Sequence, residues 1–170
     1  MHADLFSQAR MLATFDPGKP KQASLRRALS SAYYAMFHFL VDQACRAQIG
    51  TQHAQSGYRH VLARAFSHTV MKQACTSFGG GTLKATVAKG LPAGFSVPPE
   101  IQSLAGFFVQ MQELRHLADY DLSERFERSE VMSEITRAET GVAHFANLPS
   151  SDEKSFFLAC LWAWKELTNR

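Results

Sequence analysis

Hydrophobic residues recur along most of the chain at the three- and four-residue spacing of an α-helix. The longest stripe predicts a helix over 22–47 and consists of Leu25, Leu29, Ala32, Met36 and Phe39. The same helix is apolar on a second side as well, which predicts a central position in the fold.

Shorter stripes of the same kind predict two more helices in the first half of the chain. One covers 4–14 and ends at a Pro- and Gly-containing turn, because neither residue continues a helix cheaply. The other covers 56–78 and ends at three consecutive glycines. Its periodicity predicts that Tyr58 and Val61 face inward.

The second half of the chain contains three further helix starts, at Pro99, Ser129 and Ser151. Pro suits the first turn of a helix, and Ser caps its free N–H groups. No segment alternates between apolar and polar residues as a half-buried strand does. The sequence therefore predicts an all-α fold, an up-and-down bundle of five to six helices in a single domain over 1–170.

Residues 79–99 interrupt the helical pattern. This stretch holds five of the ten glycines and three of the six prolines. A loop of about twenty residues is long for a compact domain and is typically functional. We therefore expect a mobile flap or a partner-binding insertion here.

Composition narrows the possible functions. Eighteen Lys and Arg against 15 Asp and Glu give a net charge of only +3, so a basic site must be local rather than spread over the surface. The three cysteines, Cys45, Cys75 and Cys160, lack metal or redox spacing and are expected to be reduced thiols. Gly-rich phosphate motifs, paired carboxylates and His-Glu zinc helices are absent, so we expect no cofactor and no metal.

Hydropathy argues against a membrane protein. No stretch approaches about 18 uninterrupted apolar residues, the length of a transmembrane helix. The first ten residues contain Asp4 and lack a basic region followed by an apolar one, so they do not look like a signal peptide. We therefore expect no membrane contact and a cytoplasmic location.

Arg115 is the most informative polar residue, because it falls on the apolar stripe of its helix between Met111 and Ala118. A guanidinium that points at a core is costly unless it is paired or hydrated in a cleft or at a subunit interface. Asp119 lies one turn further on and can form an ion pair with it. Two interpretations stay open: a structural ion pair, or a cation that faces a functional cleft.

Two other polar groups follow helical spacing. Arg27, Ser31, Tyr34 and His38 form a line along the central helix, which fits either a solvated face or the wall of a cleft. On the next helix His60, Arg64 and His68 share one face. This basic face either contacts phosphates or is simply exposed to solvent. It is a poor metal site, because the two histidines are two turns apart without a carboxylate between them.

Two of these segments resemble a known family. The run from Leu25 to His38, LRRALSSAYYAMFH in one-letter code, resembles the central helix of prokaryotic HEPN domains. The run from Arg115 to Asp121, RHLADYD, is similar to the Arg-x-x-Ala-Asp-Tyr motif of the same group. The two runs occur in the expected order on separate helices, and the resemblance covers roughly 22–147.

The resemblance implies a HEPN-like helical bundle that forms a homodimer. Many HEPN proteins are metal-independent endoribonucleases, often toxins paired with a nucleotidyltransferase antitoxin, and others bind RNA or a nucleotide without cleaving it. The expected partners are therefore a second copy of the chain, RNA or a nucleotide, and a nucleotidyltransferase antitoxin.

The family's usual site has an Arg followed by a His with four to six residues between them, in a cleft between two subunits. In this chain the corresponding positions hold Tyr120, Asp121 and Leu122, whereas His116 directly follows Arg115. The resemblance implies catalytic roles for Arg115, Tyr120 and His116. The residues expected to bind substrate around them are Arg27, Ser31, Tyr34, His38, Asp119, His60 and Arg64.

Two classes of function follow from this site. The first is an RNA-directed protein, in particular a metal-independent endoribonuclease of the toxin type. The alternative is a non-catalytic module that binds a nucleotide, RNA or another protein, because Tyr120 replaces the usual His. A phenol with an ordinary pKa near 10 is a poor base at neutral pH.

Overall fold

The computed structural model describes residues 1–169, and all regular secondary structure in that range is helical, without a strand. The prediction of an all-α fold is confirmed. The helices are α1 (His2–Thr14), α2 (Gln22–Ile49), α3 (Ser56–Leu62), α4 (His68–Gly79), α5 (Ala85–Ala88), α6 (Pro99–Tyr120), α7 (Arg128–Asn147) and α8 (Asp152–Thr168).

The predicted number of five to six helices is too low, because the structure has eight in the described residues. Two differences account for this. The predicted helix over 56–78 is divided into α3 and α4, and the predicted loop over 79–99 contains the short α5. None of the helices in residues 1–169 is long and apolar enough to cross a membrane.

The chain divides into two compact units. The first unit comprises residues 1–39 and 107–146, and the second comprises residues 40–106 together with the chain from Asn147 onward. Both long helices, α2 and α6, contribute to each unit. The expected single domain over 1–170 stays a prediction, and the units are described in turn.

Within the first unit α1 runs antiparallel to α2. At one end the His2 ring lies 5.2 Å from the Phe39 ring, and further along Gln8 accepts a long hydrogen bond of 3.4 Å from Ser31. Residue numbers therefore rise along one helix as they fall along the other. This alternation is what an up-and-down arrangement requires.

Helices α6 and α7 of the first unit also alternate in direction with their neighbours. Tyr33 of α2 packs on Phe108 at a ring distance of 5.6 Å, whereas Arg26 contacts the far end of α6, so α2 and α6 are antiparallel. Arg10 of α1 forms an ion pair with Glu139, and Arg128 donates to a carbonyl near the end of α1. The four segments thus alternate in direction.

The core of the second unit is aromatic. Phe78 of α4 lies 4.9 Å from Phe157 and 6.0 Å from Trp164, measured between ring centroids, so α4 and α8 pack against each other. Trp164 is completely buried. The apolar stripe of the last helix, read from the sequence, therefore corresponds to a real contact surface.

The helix predicted over 56–78 is interrupted at Ser67. The backbone of Ser67 is extended, with φ of −122° and ψ of 146°, and its hydroxyl accepts a hydrogen bond of 3.3 Å from the Val70 N–H. This is an N-cap, which starts α4 as a separate helix. The predicted inward orientation of Tyr58 and Val61 is wrong, because they are 69% and 68% exposed.

The segment 79–99 is anchored to the second unit rather than extended away from it. Leu83, Val87 and Val97 are buried, and the Gln102 amide donates a 2.8 Å hydrogen bond to the carbonyl of Val97. The Phe95 ring also packs against an aromatic ring of α8. The segment is therefore folded onto its unit at several points, and a role in binding a partner stays a prediction.

A close backbone approach fixes the end of α4. A Cβ placed on Gly79 would lie 3.0 Å from the backbone nitrogen of Gly106 in α6, whereas a Cβ on Gly80 would meet only ordinary contacts from 3.5 Å. We expect Gly79→Ala to lower the free energy of unfolding by about 1–3 kcal/mol, because two backbones must separate. Gly80→Ala is the matched control and should change it little. Urea denaturation measures both, and equal effects would contradict the close approach.

The turn between α1 and α2 depends on Asp16, which is 7% exposed. Its carboxylate accepts a 3.0 Å hydrogen bond from the Lys21 N–H and another from the Ser24 side chain, and these bonds hold the pKa of Asp16 below its ordinary value. The turn also needs Gly18, whose φ of +90° few other residues adopt. A charged carboxylate therefore stabilises the start of α2.

This arrangement predicts a pH-dependent contribution to stability. Because the folded pKa of Asp16 is depressed, its contribution is complete above the unfolded value of 3.8 and is lost as the pH falls through the lower folded value. We expect Asp16→Ala to lower the urea midpoint at pH 7 and to differ less and less from wild type as the pH approaches 2. A difference that is the same at every pH would show that the charge of Asp16 is not involved.

Candidate functional site

Arg115 lies in the first unit, on the part of α6 that packs against α2. Its side chain is 20% exposed, and its Nε lies 2.7 Å from Oδ2 of Asp119, whose side chain is 22% exposed. The i,i+4 spacing read from the sequence is therefore a real ion pair. The cation is partly buried but not sealed from solvent.

The second oxygen of Asp119 is also engaged. The Ser30 hydroxyl donates a 2.8 Å hydrogen bond to Oδ1 of Asp119, and Ser30 is only 4% exposed. The neighbouring Ser31, which the sequence suggests as a substrate-binding residue, instead contacts Gln8 of α1. The signal available in the sequence was that Ser30 directly follows two apolar residues, Ala28 and Leu29, which are both buried.

Three tyrosine rings surround the guanidinium of Arg115. Its central carbon lies 5.9 Å from the ring centroid of Tyr33, 5.7 Å from that of Tyr34 and 5.9 Å from that of Tyr120. Such faces attract a cation. Burial disfavours the charged form of Arg115, but Tyr34 and Asp119 outweigh it, and the pKa is raised above its ordinary value. Arg115 therefore stays charged.

The terminal nitrogens of Arg115 retain donor capacity. Only Nε faces the Asp119 carboxylate, and within residues 1–169 the one hydrogen bond from a terminal nitrogen is a long one, 3.4 Å from Nη2 to the Tyr34 hydroxyl. A guanidinium has five N–H donors arranged for bidentate binding of a carboxylate or phosphate. The arrangement can thus hold an anion without breaking the ion pair.

Two further candidates lie at the end of α6. The rings of His116 and Tyr120 are 4.9 Å apart, and Tyr120 is 65% exposed. Tyr120 contacts both His116 and the Arg115 guanidinium. The structure therefore groups the three residues that the resemblance implies for catalysis, with an exposed imidazole and an exposed phenol beside the cation.

His38 is connected to this group through Tyr34. The two rings are 6.3 Å apart and nearly parallel. His38 is half-buried, and burial, together with the nearby N-terminal ammonium group, lowers its pKa. At neutral pH His38 is therefore an uncharged imidazole that accepts protons or hydrogen bonds.

Neighbouring arginines at the start of α2 have different roles. Arg27, chosen from the sequence as a substrate-binding residue, is exposed. Arg26, which the sequence analysis missed, donates to four backbone carbonyls, and the 2.7 Å bond to Ala118 is among the shortest. Its guanidinium also lies over the Phe126 ring at 5.5 Å. Arg26 therefore closes the end of α6, next to Tyr120.

The remaining predicted contacts belong to the second unit. His60 lies on α3 and Arg64 in the 3-10 turn Ala63–Ala65, and both side chains are exposed. The structure places them in a different unit from the group around Arg115. Whether they hold phosphates stays a prediction.

The structure describes no other reactive centre in residues 1–169. No group of three or more His, Cys, Asp or Glu residues in this range is arranged to hold a metal ion. Cys45, Cys75 and Cys160 are buried and unpaired as disulfides. Burial raises the pKa of Cys75 strongly and that of Cys160 to about 12, so these thiols are poor nucleophiles.

Comparison with models of known families, with curated proteins and with solved structures found no match.

The contrast between Arg26 and Arg27 yields a direct test. We expect Arg26→Ala to lower the free energy of unfolding by about 2 kcal/mol, because it leaves several carbonyls at the end of α6 without their charged donor. Arg27→Ala removes the same charge from an exposed position and should change it by less than about 0.5 kcal/mol. Urea denaturation and amide hydrogen exchange over 117–126 measure the effect. Equal destabilisation by both variants would refute this role of Arg26.

Proposed function

We propose that this protein is a HEPN-like, RNA-directed protein that cleaves RNA without a metal ion, at a site formed by Arg115, Tyr120 and His116. The observation that carries the proposal is the state of Arg115: a permanently charged, partly exposed guanidinium whose terminal nitrogens retain donors. The motif resemblance supplies the reaction class.

Arg115 acts by stabilising charge. In the proposed reaction the 2′-hydroxyl of a ribose attacks its own 3′-phosphate, a cyclic phosphate forms and the 5′-oxygen of the next nucleotide leaves. Negative charge builds up on the non-bridging oxygens as the pentacovalent state forms. A guanidinium held in place by Asp119 and the tyrosine rings meets that charge without having to reorganise.

Proton transfer is assigned to the exposed end of α6. His116 and Tyr120 lie in ring contact, so the imidazole takes the proton from the 2′-hydroxyl, and the phenol gives its proton to the leaving 5′-oxygen. The imidazolium then returns a proton to the phenolate, which restores both groups. His38, uncharged at neutral pH, positions the Tyr34 ring against which Arg115 rests. The substrate is therefore held mainly by Arg115.

The site is proposed to act in a homodimer. Leu117 is 36% exposed and Leu122 is 86% exposed, and both flank Tyr120 at the end of α6. Exposed apolar residues next to a polar site are typical of an interface. Two copies meeting there would bring two Arg115 residues to one phosphate. A nucleotidyltransferase is the proposed antitoxin partner.

A second candidate function is binding without cleavage. It is favoured by Tyr120, which occupies a position where the family usually has a His, and by the Asp119 carboxylate that already pairs with Arg115. The same pocket of donors would then hold a nucleotide or an RNA phosphate as a ligand. The two functions differ in whether the bound RNA is cut.

Incubation of the purified chain with end-labelled RNA in the presence of a chelator tests the proposal. We expect products that end in a 2′,3′-cyclic phosphate, and none from RNA with 2′-O-methyl groups. Arg115→Ala should lower the cleavage rate about 100-fold or more, in the range for a lost transition-state donor. Arg115→Lys keeps a cation beside Asp119 and should recover the fold but little activity, because it lacks the planar fork.

Arg137→Ala serves as the control, because Arg137 lies over Phe107 and pairs with Glu134, away from the candidate site. It should cleave at the wild-type rate. Cleavage that survives Arg115→Ala would refute the proposed role of Arg115. Binding of RNA or a nucleotide by wild type without any cleavage would favour the second function, and the absence of both would overturn both.

A further inference from the structure

Charge is distributed unevenly along the chain. Residues 43–99 contain six Lys and Arg and three His but not one Asp or Glu. The rest of the sequence contains twelve Lys and Arg against fifteen Asp and Glu, so it is acidic overall. The modest net charge of +3 therefore hides a basic segment. We call residues 43–99 the acid-free segment.

The first two cations of the acid-free segment have structural roles. Arg46 pairs with Asp42, with 2.6 Å between Nε and Oδ2, so its charge is neutralised. Arg59 donates to the carbonyls of Gly50 and Gln52 at 2.8 and 3.0 Å. Carbonyls satisfy its hydrogen bonds without cancelling its charge, so Arg59 still contributes to the local potential.

The surface of α3 and the following 3-10 turn is exposed. None of residues 56–65 is buried, although they include three large apolar side chains, Tyr58, Val61 and Leu62. Tyr58 and Val61 lie one helical turn apart and are 69% and 68% exposed. His60 and Arg64 are also exposed and lie four residues apart. At about 100° per residue these four side chains spread over about half of the helix circumference, with Val61 between Tyr58 on one side and Arg64 and His60 on the other, and we call this exposed half the α3 face.

The α3 face combines the two features that single-stranded nucleic acids recognise. Arg64 presents positive charge to phosphates, both Arg64 and His60 present N–H donors, and no carboxylate within the acid-free segment repels the phosphates. Tyr58 presents an exposed aromatic ring on which a base can stack. An acidic protein surface would need the cations but not the ring, so the observations favour a nucleic acid.

We propose that the α3 face binds single-stranded nucleic acid through its phosphates and through one base stacked on Tyr58. The proposal is independent of the ribonuclease function, because it uses none of the residues around Arg115. It holds equally for a chain that binds RNA without cutting it. RNA and DNA share the chemistry it uses, so oligomers of both distinguish the natural ligand.

Fluorescence anisotropy of the full chain with labelled twelve-nucleotide oligo(U) and oligo(dT) tests the proposal. We expect salt-dependent binding, with Tyr58→Ala weakening it about 5- to 100-fold through lost stacking. Tyr58→Phe keeps the ring and should bind like wild type. Arg64→Ala should weaken binding several-fold and reduce the slope of log affinity against log salt by about 0.7, the value for one phosphate.

Arg46→Ala is the matched control, because it removes one positive charge from the same segment at a position already paired with Asp42. It should leave affinity unchanged. Equal weakening by Arg46→Ala and Arg64→Ala would overturn the α3 face in favour of a general charge effect. Wild-type affinity in Tyr58→Ala, no binding by wild type, or displacement of the oligomer by an equal concentration of poly-glutamate would overturn the proposal as well.

A cleavage assay on Tyr58→Ala separates this proposal from the ribonuclease. At a saturating concentration of RNA this variant should cleave at the wild-type rate while its oligo(dT) affinity falls, because the site around Arg115 is intact. Loss of affinity with cleavage retained supports both proposals. Unchanged oligo(dT) affinity in Tyr58→Ala would overturn the α3 face while leaving the site around Arg115 in place. Because Tyr58 and Arg64 are exposed, thermal unfolding should show that their variants fold normally.

Discussion

The first unit depends on one charge that lies on an apolar helix stripe. A guanidinium that is four-fifths buried needs partners for its charge. Burying it unpaired would cost a free energy comparable to the whole free energy of unfolding of a domain. Asp119 supplies the opposite charge, three tyrosine rings supply their faces, and Ser30 satisfies the remaining carboxylate oxygen. Each partner is drawn from α2 or α6, so the pairing of these helices follows from the needs of Arg115.

A second arginine, Arg26, is not a charge that needs partners but a donor for backbone carbonyls that lack them. The last carbonyls of α6 have no partner within the helix, and the chain after Tyr120 turns away without a glycine to cap it. Arg26 donates to the carbonyls of Leu117 and Ala118 in the last turn of α6 and to two further carbonyls just beyond it. The end of α6 is therefore a fixed platform, and the side chains of His116 and Tyr120 project from it. Rigid support of this kind is what a site needs if its donors are to be in place before a ligand arrives.

Features that depend on helical periodicity within one segment could be predicted from the sequence. Features that depend on contacts between helices could not. The stripe on α2, the start of α6 at Pro99 and the spacing of Arg115 and Asp119 are local patterns. The sequence drew attention to Ser31, yet Ser30 is the residue that contacts Asp119, because neighbours on a helix differ by about 100° and only the partner helix decides which one is used. The N-cap at Ser67 falls between apolar positions whose helical spacing continues from 58 to 69, and that periodicity outweighed a single hydroxyl.

Net charge is a weak guide to binding because it sums charges that act separately. Arg46 and Arg59 count equally in the composition, yet a carboxylate cancels the first, whereas carbonyls leave the second fully charged. Arg115 likewise counts as one cation, although its ion pair uses Nε and leaves terminal donors for an anion. A chain of net charge +3 can therefore contain both an acidic majority and a segment without a single carboxylate. What a polyanion meets depends on where uncancelled charge is exposed, and in the second unit that is the surface where an aromatic ring is exposed as well.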